Sequence, residues 1–412
     1  LFLKLNNVIF SKEKLSGKKM KRTVKDLDGL KGKVVLLRVD FNVPIDENGK
    51  ILDTTRIVNA LPTIKYLSKE GARVVLLSHL DRPKGFELRK SLWPIALLLM
   101  KRLDCNVDFC NKTIGDEVKE RISHLKEGNV LLLENTRFYE GETKCDMEFA
   151  KELASLGDIF VNDAFGVAHR ENASNYGIAR ILPNAIGLLM EKEITELGQA
   201  MENPKKPFVA VLGGSKVETK VKILNKFVDQ ADVILIGGAM AYTFLYAMGL
   251  PIGESIYYPD SVSTAKEILA RAKKLGKTLL LPVDHVCIRK TDKKEKVMTT
   301  SEMIDDMVGY DIGPKTIALY KKEIMKAGQI IWNGPMGMYE DARFKNGTYQ
   351  IAKAISETKG YTIVGGGDSV AAVNSFNFGK KIDYISTGGG ATLKFLEDGT
   401  LPCIEVIQEK IK

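Results

Sequence analysis

Cysteine and histidine are scarce in this chain of 412 residues: there are five of the first and four of the second. Cys105, Cys110, Cys145, Cys287 and Cys403 form no CxxC pair, and the histidines are equally scattered. That excludes a zinc cluster of neighbouring ligands. An odd, sparse set of thiols suggests no disulfide framework and suits a reducing cytoplasm. Long apolar runs are nearly missing as well. One charge-free stretch has the length to span a bilayer, VILIGGAMAYTFLYAMGLPIG at 233–253. Gly237 and Gly238 split it and GLPIG breaks its end, so a buried strand, a turn and a buried helix account for it better.

Basic excess is also missing from most of the chain. The formal net charge is +9, but residues 1–33 hold ten Lys/Arg against three Asp/Glu, leaving only +2 over the other 379 residues. A body so nearly neutral offers no stripe to track a nucleic-acid backbone. Residues 1–19, LFLKLNNVIFSKEKLSGKK, lack a cleavage site and the bias of a transit peptide. They read as a disordered or non-native extension ahead of Met20.

What is present is a repeated alternation of strand and helix. Apolar runs stand at 34–39, 73–79, 129–134 and 158–163, then at 208–214, 233–238, 278–283, 330–334, 362–367 and 384–390. They are short, rich in Val, Ile and Leu, and apolar on both faces, as parallel strands between helices are. Segments such as 53–71 carry apolar residues at helical spacing and end on a glycine. Ten strands are too many for one compact open sheet. Residues 188–202 read as one helix bridging two halves, with the break at MENPKKPF, 201–208. The expected fold is α/β, with two lobes of parallel sheet flanked by helices in three αβα layers. A helical hinge joins them over a deep cleft.

Ligands of such sheets sit at the carboxyl ends of the strands. There the halves differ. The first carries RVDFNVP, SHLDRP, ENTRF and NDAFGVAHR; the second carries LGGSK, IGGAM, NGPMG, VGGGDS and TGGGAT. Glycine turns before helices let backbone N–H groups converge on phosphate oxygens. None completes GxGxxG or GxxxxGK[ST], so neither the usual dinucleotide nor the Walker fingerprint is present. Asp368, just after three glycines, reads either as the carboxylate holding Mg²⁺ against phosphates or as a plain N-cap. Lys216 and Lys220, four apart, read either as two ammoniums over phosphates on one helix face or as a solvated basic face. Arg56, Arg82, Arg137, Arg170, His79 and His169 cluster near strand ends in the first half. Arg137 and Arg170 follow buried strands directly, where a lone cation is costly without an anion. Converging guanidiniums suit a small ligand with phosphate and carboxylate. No Ser-His-Asp or Cys-His constellation is evident. Phosphoryl transfer across the cleft needs none.

At RVDFNVP (38–44), SHLDRPKG (78–85), NDAFGVAHR (162–170), LGGSKVETK (212–220) and VGGGDS (364–369) the chain resembles phosphoglycerate kinase, with order and spacing agreeing. LLLENTRF (131–138), DIGPKT (311–316), WNGPMGMYE (332–340) and STGGGA (386–391) extend the resemblance from about residue 20 to the end. It implies the reversible exchange of 1,3-bisphosphoglycerate and ADP for 3-phosphoglycerate and ATP, with Mg²⁺, in a cytoplasmic monomer. Asp40 and Asn42 would bind the glycerate end. His79, Arg82, Arg137 and Arg170 would hold the phosphate end, supported by Arg38 and His169. Arg56 would meet the transferring group, and Lys216 would accompany it. Lys220, Asn333, Gly214, Gly238, Gly366, Gly367 and Ser369 would serve the nucleotide, Glu340 its ribose, and Asp368 the metal.

The implied division is a substrate lobe at 20–187, a hinge at 188–207, a nucleotide lobe at 208–392 and a returning segment at 393–412. The nucleophile would be an already ionised carboxylate, which explains why no general base is visible. Asp81, Asn172, Ser215 and Lys394 depart from the usual family residues, and bear on substrate affinity more than on reaction type. A nicotinamide-dependent oxidoreductase would share the α/β plan but should show GxGxxG.

Overall fold

Val34–Arg38, the stretch VVLLR, is buried at all five positions and forms β1. Side chains that are apolar on both faces need cover on both, which helices packed over a parallel sheet provide. The computed structural model describes residues 20–292 and 294–410. The extension expected at 1–19 lies outside the described residues.

In the first lobe β1 is joined by β2 (Arg73–Leu77), β3 (Val107–Cys110), β4 (Val130–Leu133), β5 (Ile159–Asn162) and β6 (Asn184–Ile186). All pairings are parallel, in the order β3-β4-β2-β1-β5-β6. The second lobe begins with β7 (Phe208–Leu212), β8 (Val233–Ile236) and β9 (Thr278–Leu280). A small antiparallel sheet follows, from β10 (His285–Arg289), β11 (Met298–Thr300) and β12 (Met307–Ile312). Then β13 (Gln329–Asn333), β14 (Tyr361–Gly365) and β15 (Tyr384–Ile385) complete a parallel sheet ordered β15-β14-β13-β7-β8-β9.

All ten strands expected from the sequence are in these two large sheets. Two edge strands and the antiparallel sheet come as additions. Asp108 interrupts the apolar run of β3, and β6 is only three residues long. The apolar stretch at 233–253 becomes β8, a turn and a helix. Among the described residues no helix is long and apolar enough to cross a membrane.

The helices that bear on the cleft are α1 (Thr55–Lys69), α2 (Leu188–Glu202), α3 (Val221–Gln230), α4 (Met240–Ala247), α5 (Gly367–Ser375) and α6 (Gly390–Asp398). The start of α2 is fixed to the first lobe. Its Leu188 N–H donates to Thr63 Oγ1 at 3.0 Å and its Met190 N–H to Asp163 Oδ1 at 3.0 Å. One turn on, α2 grips the second lobe. The Glu193 carboxylate, 0 % exposed, accepts from Ser386 Oγ at 2.8 Å, Thr387 N–H at 2.7 Å and Thr387 Oγ1 at 2.8 Å.

The chain end runs back along the first lobe. Cys403 N–H donates to Ala168 O at 3.1 Å, and Arg22 N–H to Gln408 O at 2.8 Å. One apolar cluster is therefore continuous from Leu36 and Phe160 through Leu197 of α2 and Phe395 of α6 to Phe208 and Phe227. Phe165 and Phe395 meet edge to face across the lobes at 5.8 Å, a pair contributing about 0.5–1.5 kcal/mol beyond its buried area.

Candidate functional site

The first lobe gathers cations at the carboxyl ends of its strands. Arg38 ends β1 fully buried, donating to Ser174 Oγ at 2.7 Å and bonded to His79 Nδ1 at 3.0 Å. The buried Glu142 carboxylate lies 3.8 Å away and holds Ser174 in turn. Neither Glu142 nor Ser174 was singled out in the sequence; they come from distant segments and carry no local signal.

His79 is equally buried. Burial first, then Arg38, Arg137, Arg56 and Arg170, keep its pKa well below the usual imidazole value. Four arginines thus converge electrostatically on one neutral ring. Arg137 is 9 % exposed, and donates to Asp81 O at 2.6 Å. Its Nε is buried and meets no partner among the described residues. Burial, Arg38 and Arg170 bring its pKa down to about 10. A half-satisfied buried cation among like charges is costly, and an anion placed here relieves it.

Arg170 donates to His169 Nε2 at 3.2 Å. His169 Nδ1 is another buried, unpartnered atom, and burial followed by Arg170 lowers this ring's pKa. Asp40 is held between the N–H of Asn42 at 3.2 Å and Arg56, whose Nη1 lies 3.1 Å from Asp40 Oδ2. Arg56 also donates to Asn42 O at 2.9 Å. Asn42 Oδ1 accepts the Asp81 N–H at 2.8 Å. Arg82 stands exposed on the same loop.

Two departures from the family pattern now have a structural description. Asp81 has φ 55°, a left-handed conformation that glycine adopts more easily. Its side chain pairs with Lys90. Asn172 is buried and donates to Glu142 O at 3.3 Å, so it serves the scaffold under Arg38.

In the second lobe a cavity of about 200 Å³ opens between the turns at Gly214, Gly334 and Gly366, with Lys216, Lys220 and Asp368 on its walls. Gly366 has φ 92°, and a Cβ there would stand 2.7 Å from Asn333 Nδ2. Only bare backbone fits. Gly238 has φ 68°, and its Cβ would stand 2.5 Å from the nitrogen of Gly214. Gly366 is the N-cap of α5, so Asp368 sits inside the first turn, exposed, and is not a cap. That removes the simpler of its two readings.

Ser369 is buried, and its hydroxyl accepts the Gly334 N–H at 2.5 Å, bracing one glycine turn against another. Lys220 is buried and donates to Asn333 through both Oδ1 and the backbone oxygen, the latter at 3.3 Å. Desolvation lowers its pKa to about 8, against the opposing pull of Asp368 and Glu397.

The expectation that Lys216 and Lys220 share a helix face is not met. Gly214, at φ 94°, turns the chain away, and α3 begins only at Val221. Lys216 is left exposed in the turn, 6.0 Å from the Tyr258 ring centre. Both ammoniums still border the cavity, one buried and one free to move. Glu340 is exposed on the loop after β13, and neither it nor Gly238 lines this cavity. Thr219 lines it without having been anticipated.

The two halves of the site face each other. A Cβ at Gly389 would stand 4.0 Å from Arg56 Nη2, and one at Gly390 would stand 3.9 Å from His169 Nε2. The glycine turn that opens α6 thus abuts the cation patch of the other lobe.

Among the described residues no group of three or more His, Cys, Asp or Glu is arranged to hold a metal. A single exposed carboxylate at a phosphate-sized cavity fits instead a cation that arrives on phosphate oxygens, with most of its ligands from outside the protein.

Comparison with known proteins agrees with this geometry. The family model described as phosphoglycerate kinase matches residues 24–399. The phosphoglycerate kinase of Dictyoglomus turgidum is 51 % identical over 397 residues, covering 95 % of this chain and 100 % of the relative. That of Clostridium tetani is 46 % identical over 396 residues, covering 95 % and 98 %. The solved phosphoglycerate kinase of Coxiella burnetii superposes with a TM-score of 0.83 at 40 % identity, covering 94 % of this chain and 98 % of that one. For the Pyrococcus horikoshii enzyme the values are 0.81, 34 %, 93 % and 98 %. The chain belongs to the phosphoglycerate kinase family, whose reaction is the reversible transfer of a phosphoryl group between 1,3-bisphosphoglycerate and ADP.

Proposed function

We propose that the first lobe's cation patch holds 3-phosphoglycerate and that the second lobe's glycine-walled cavity holds the phosphates of ATP. The observation that supports this most is Arg137, a buried guanidinium with an unpartnered nitrogen among like charges. His79, Arg82, Arg137 and Arg170 take the phosphate end, with Arg38 and His169 behind them. Asp40 and Asn42 take the glycerate end.

The ATP-consuming direction runs as follows. The ionised carboxylate of the acid attacks the terminal phosphorus, the bond to the ADP oxygen breaks, and no proton moves. Arg56 leaves Asp40 and lies against the equatorial oxygens. Lys216, unpaired with any helix face, follows the group between ligands. Lys220, Asn333, Ser369 and the backbone at Gly214, Gly238, Gly366 and Gly367 fix the nucleotide, with Glu340 on its ribose. Asp368 would hold Mg²⁺ arriving with the nucleotide, and the ion would supply neutralisation of phosphate charge there.

The lobes divide as 20–187 and 208–392, with 188–207 as hinge and 393–412 returning to the first lobe. The enzyme works as a cytoplasmic monomer. A coupled assay for ATP-dependent phosphorylation of 3-phosphoglycerate, with and without Mg²⁺, tests the whole reading. Turnover that needs both the acid and the metal is expected. Its absence would overturn the assignment.

A further inference from the structure

Helix α6 borders both halves of the site. Phe395 packs on Phe165 of the first lobe, and the backbone at Gly390 faces His169. One turn beyond Gly390 on the same side stands Lys394. Its ammonium lies 2.8 Å from Asp398 and 3.8 Å from Glu397, with 39 % of the side chain exposed. Lys222 of α3 neighbours it, and Glu397 in turn bears on Lys220. Across the cleft, Lys394 adds to Arg170 in opposing the protonation of His169. A cation on the helix that leads out of the nucleotide lobe into the returning segment therefore sits within the field of the first lobe's anion site. Its near tether is Asp398, with Glu397 farther off on the same helix end, and Asp398, 39 % exposed, can be exchanged for another anion.

We propose that Lys394 is a further specificity-determining residue for the phosphorylated acid, its ammonium leaving Asp398 for the ligand as the lobes meet. This rests on the reading of the cation patch given above. Asp398 and the incoming anion compete for one cation, so the two side chains should act on affinity with opposite signs. The contribution is a solvent-screened one and should fade with salt.

The test is a cycle of Lys394→Gln, Asp398→Asn and the double variant. KM for 3-phosphoglycerate and for MgATP is measured at ionic strengths of about 20 mM and about 0.3 M, and thermal melting checks that each folds. Lys394→Gln is expected to raise KM for 3-phosphoglycerate roughly threefold at low salt, more than it raises KM for MgATP, and much less at high salt. Asp398→Asn should lower it roughly twofold, and the double variant should match Lys394→Gln. An active parent with Lys394→Gln unchanged at low salt would overturn the inference alone. So would a double variant that keeps the full effect of Asp398→Asn. A parent with no turnover of 3-phosphoglycerate would overturn the underlying reading, and this inference with it.

Discussion

Arg56 is bound to Asp40 and to the Asn42 carbonyl, while its other nitrogen lies within reach of the Gly389 turn across the cleft. A guanidinium bonded on one side and bordering the other lobe's glycine turn on the other is placed to change partners during the reaction. Removing it should therefore affect the transition state more than ground-state binding. For Arg56→Ala we expect kcat to fall on the order of 10³-fold, with KM for 3-phosphoglycerate changed by less than about threefold. Steady-state kinetics decide it, and equal losses in both would make Arg56 a plain binding residue.

Asp163 makes a different argument at the same scale. It is fully buried at the start of α2, with Oδ2 unpartnered, and burial lifts its pKa to about 7. A raised carboxyl pKa binds its proton more tightly when folded. Its contribution to stability is thus complete below about pH 4 and is lost as pH rises through about 7. Relative to Asp163→Asn, the parent should lose about 1 kcal/mol per pH unit within that window. Denaturant melts of both proteins at pH 5, 6 and 7 would show the gap move; a constant gap would mean the group is not protonated in the native state.

Among elements, α2 matters most because successive turns of it answer to different lobes. Leu188 and Met190 bind Thr63 and Asp163, while Glu193 binds Ser386 and Thr387, which lead into the turn facing Arg56. Glu193→Gln keeps the shape but loses charge-assisted acceptors, at a cost of about 1.5–3 kcal/mol. The turn at 388–390 should loosen with it. We expect a lower melting temperature and a several-fold drop in kcat, with amide exchange increased at 386–390. Unchanged exchange there would leave α2 as mere linker.

Element by element, the sequence was legible where physics is local. Runs apolar on both faces became the strands of the two parallel sheets, and residues 188–202 became one helix. It was illegible where structure depends on partners far along the chain. β3 and β6 are edge strands whose polar residues hide their period; β10, β11 and β12, by contrast, pair with near neighbours within 285–312 and were hidden by their short, mixed sequences. The site divides the same way. Glycine turns and strand-end arginines announce themselves. The Glu142 and Ser174 support under Arg38 does not, nor does the turn that separates Lys216 from Lys220, nor the position of Asp368 inside its helix rather than at the cap.

For the whole molecule the decisive feature of the proposed site is its division between the two lobes. The cation patch belongs to the first sheet, the 200 Å³ cavity to the second, and the Gly389 turn is the point where they approach. The apolar cluster through Leu197 and Phe395 keeps them attached, but it passes through α2 and α6 and does not fill the space between the two sets of strand ends. Ligands that bridge that space should therefore draw the lobes together, and neither ligand alone supplies both contacts. Small-angle scattering should show the radius of gyration contract with MgATP and 3-phosphoglycerate together, and much less with either one. Arg56→Ala should still contract, because its loss is felt in the chemistry, whereas Glu193→Gln should contract less, because its loss is felt in the joint. A parent that stays the same size with both ligands bound would require the phosphoryl group to cross a gap this geometry does not close.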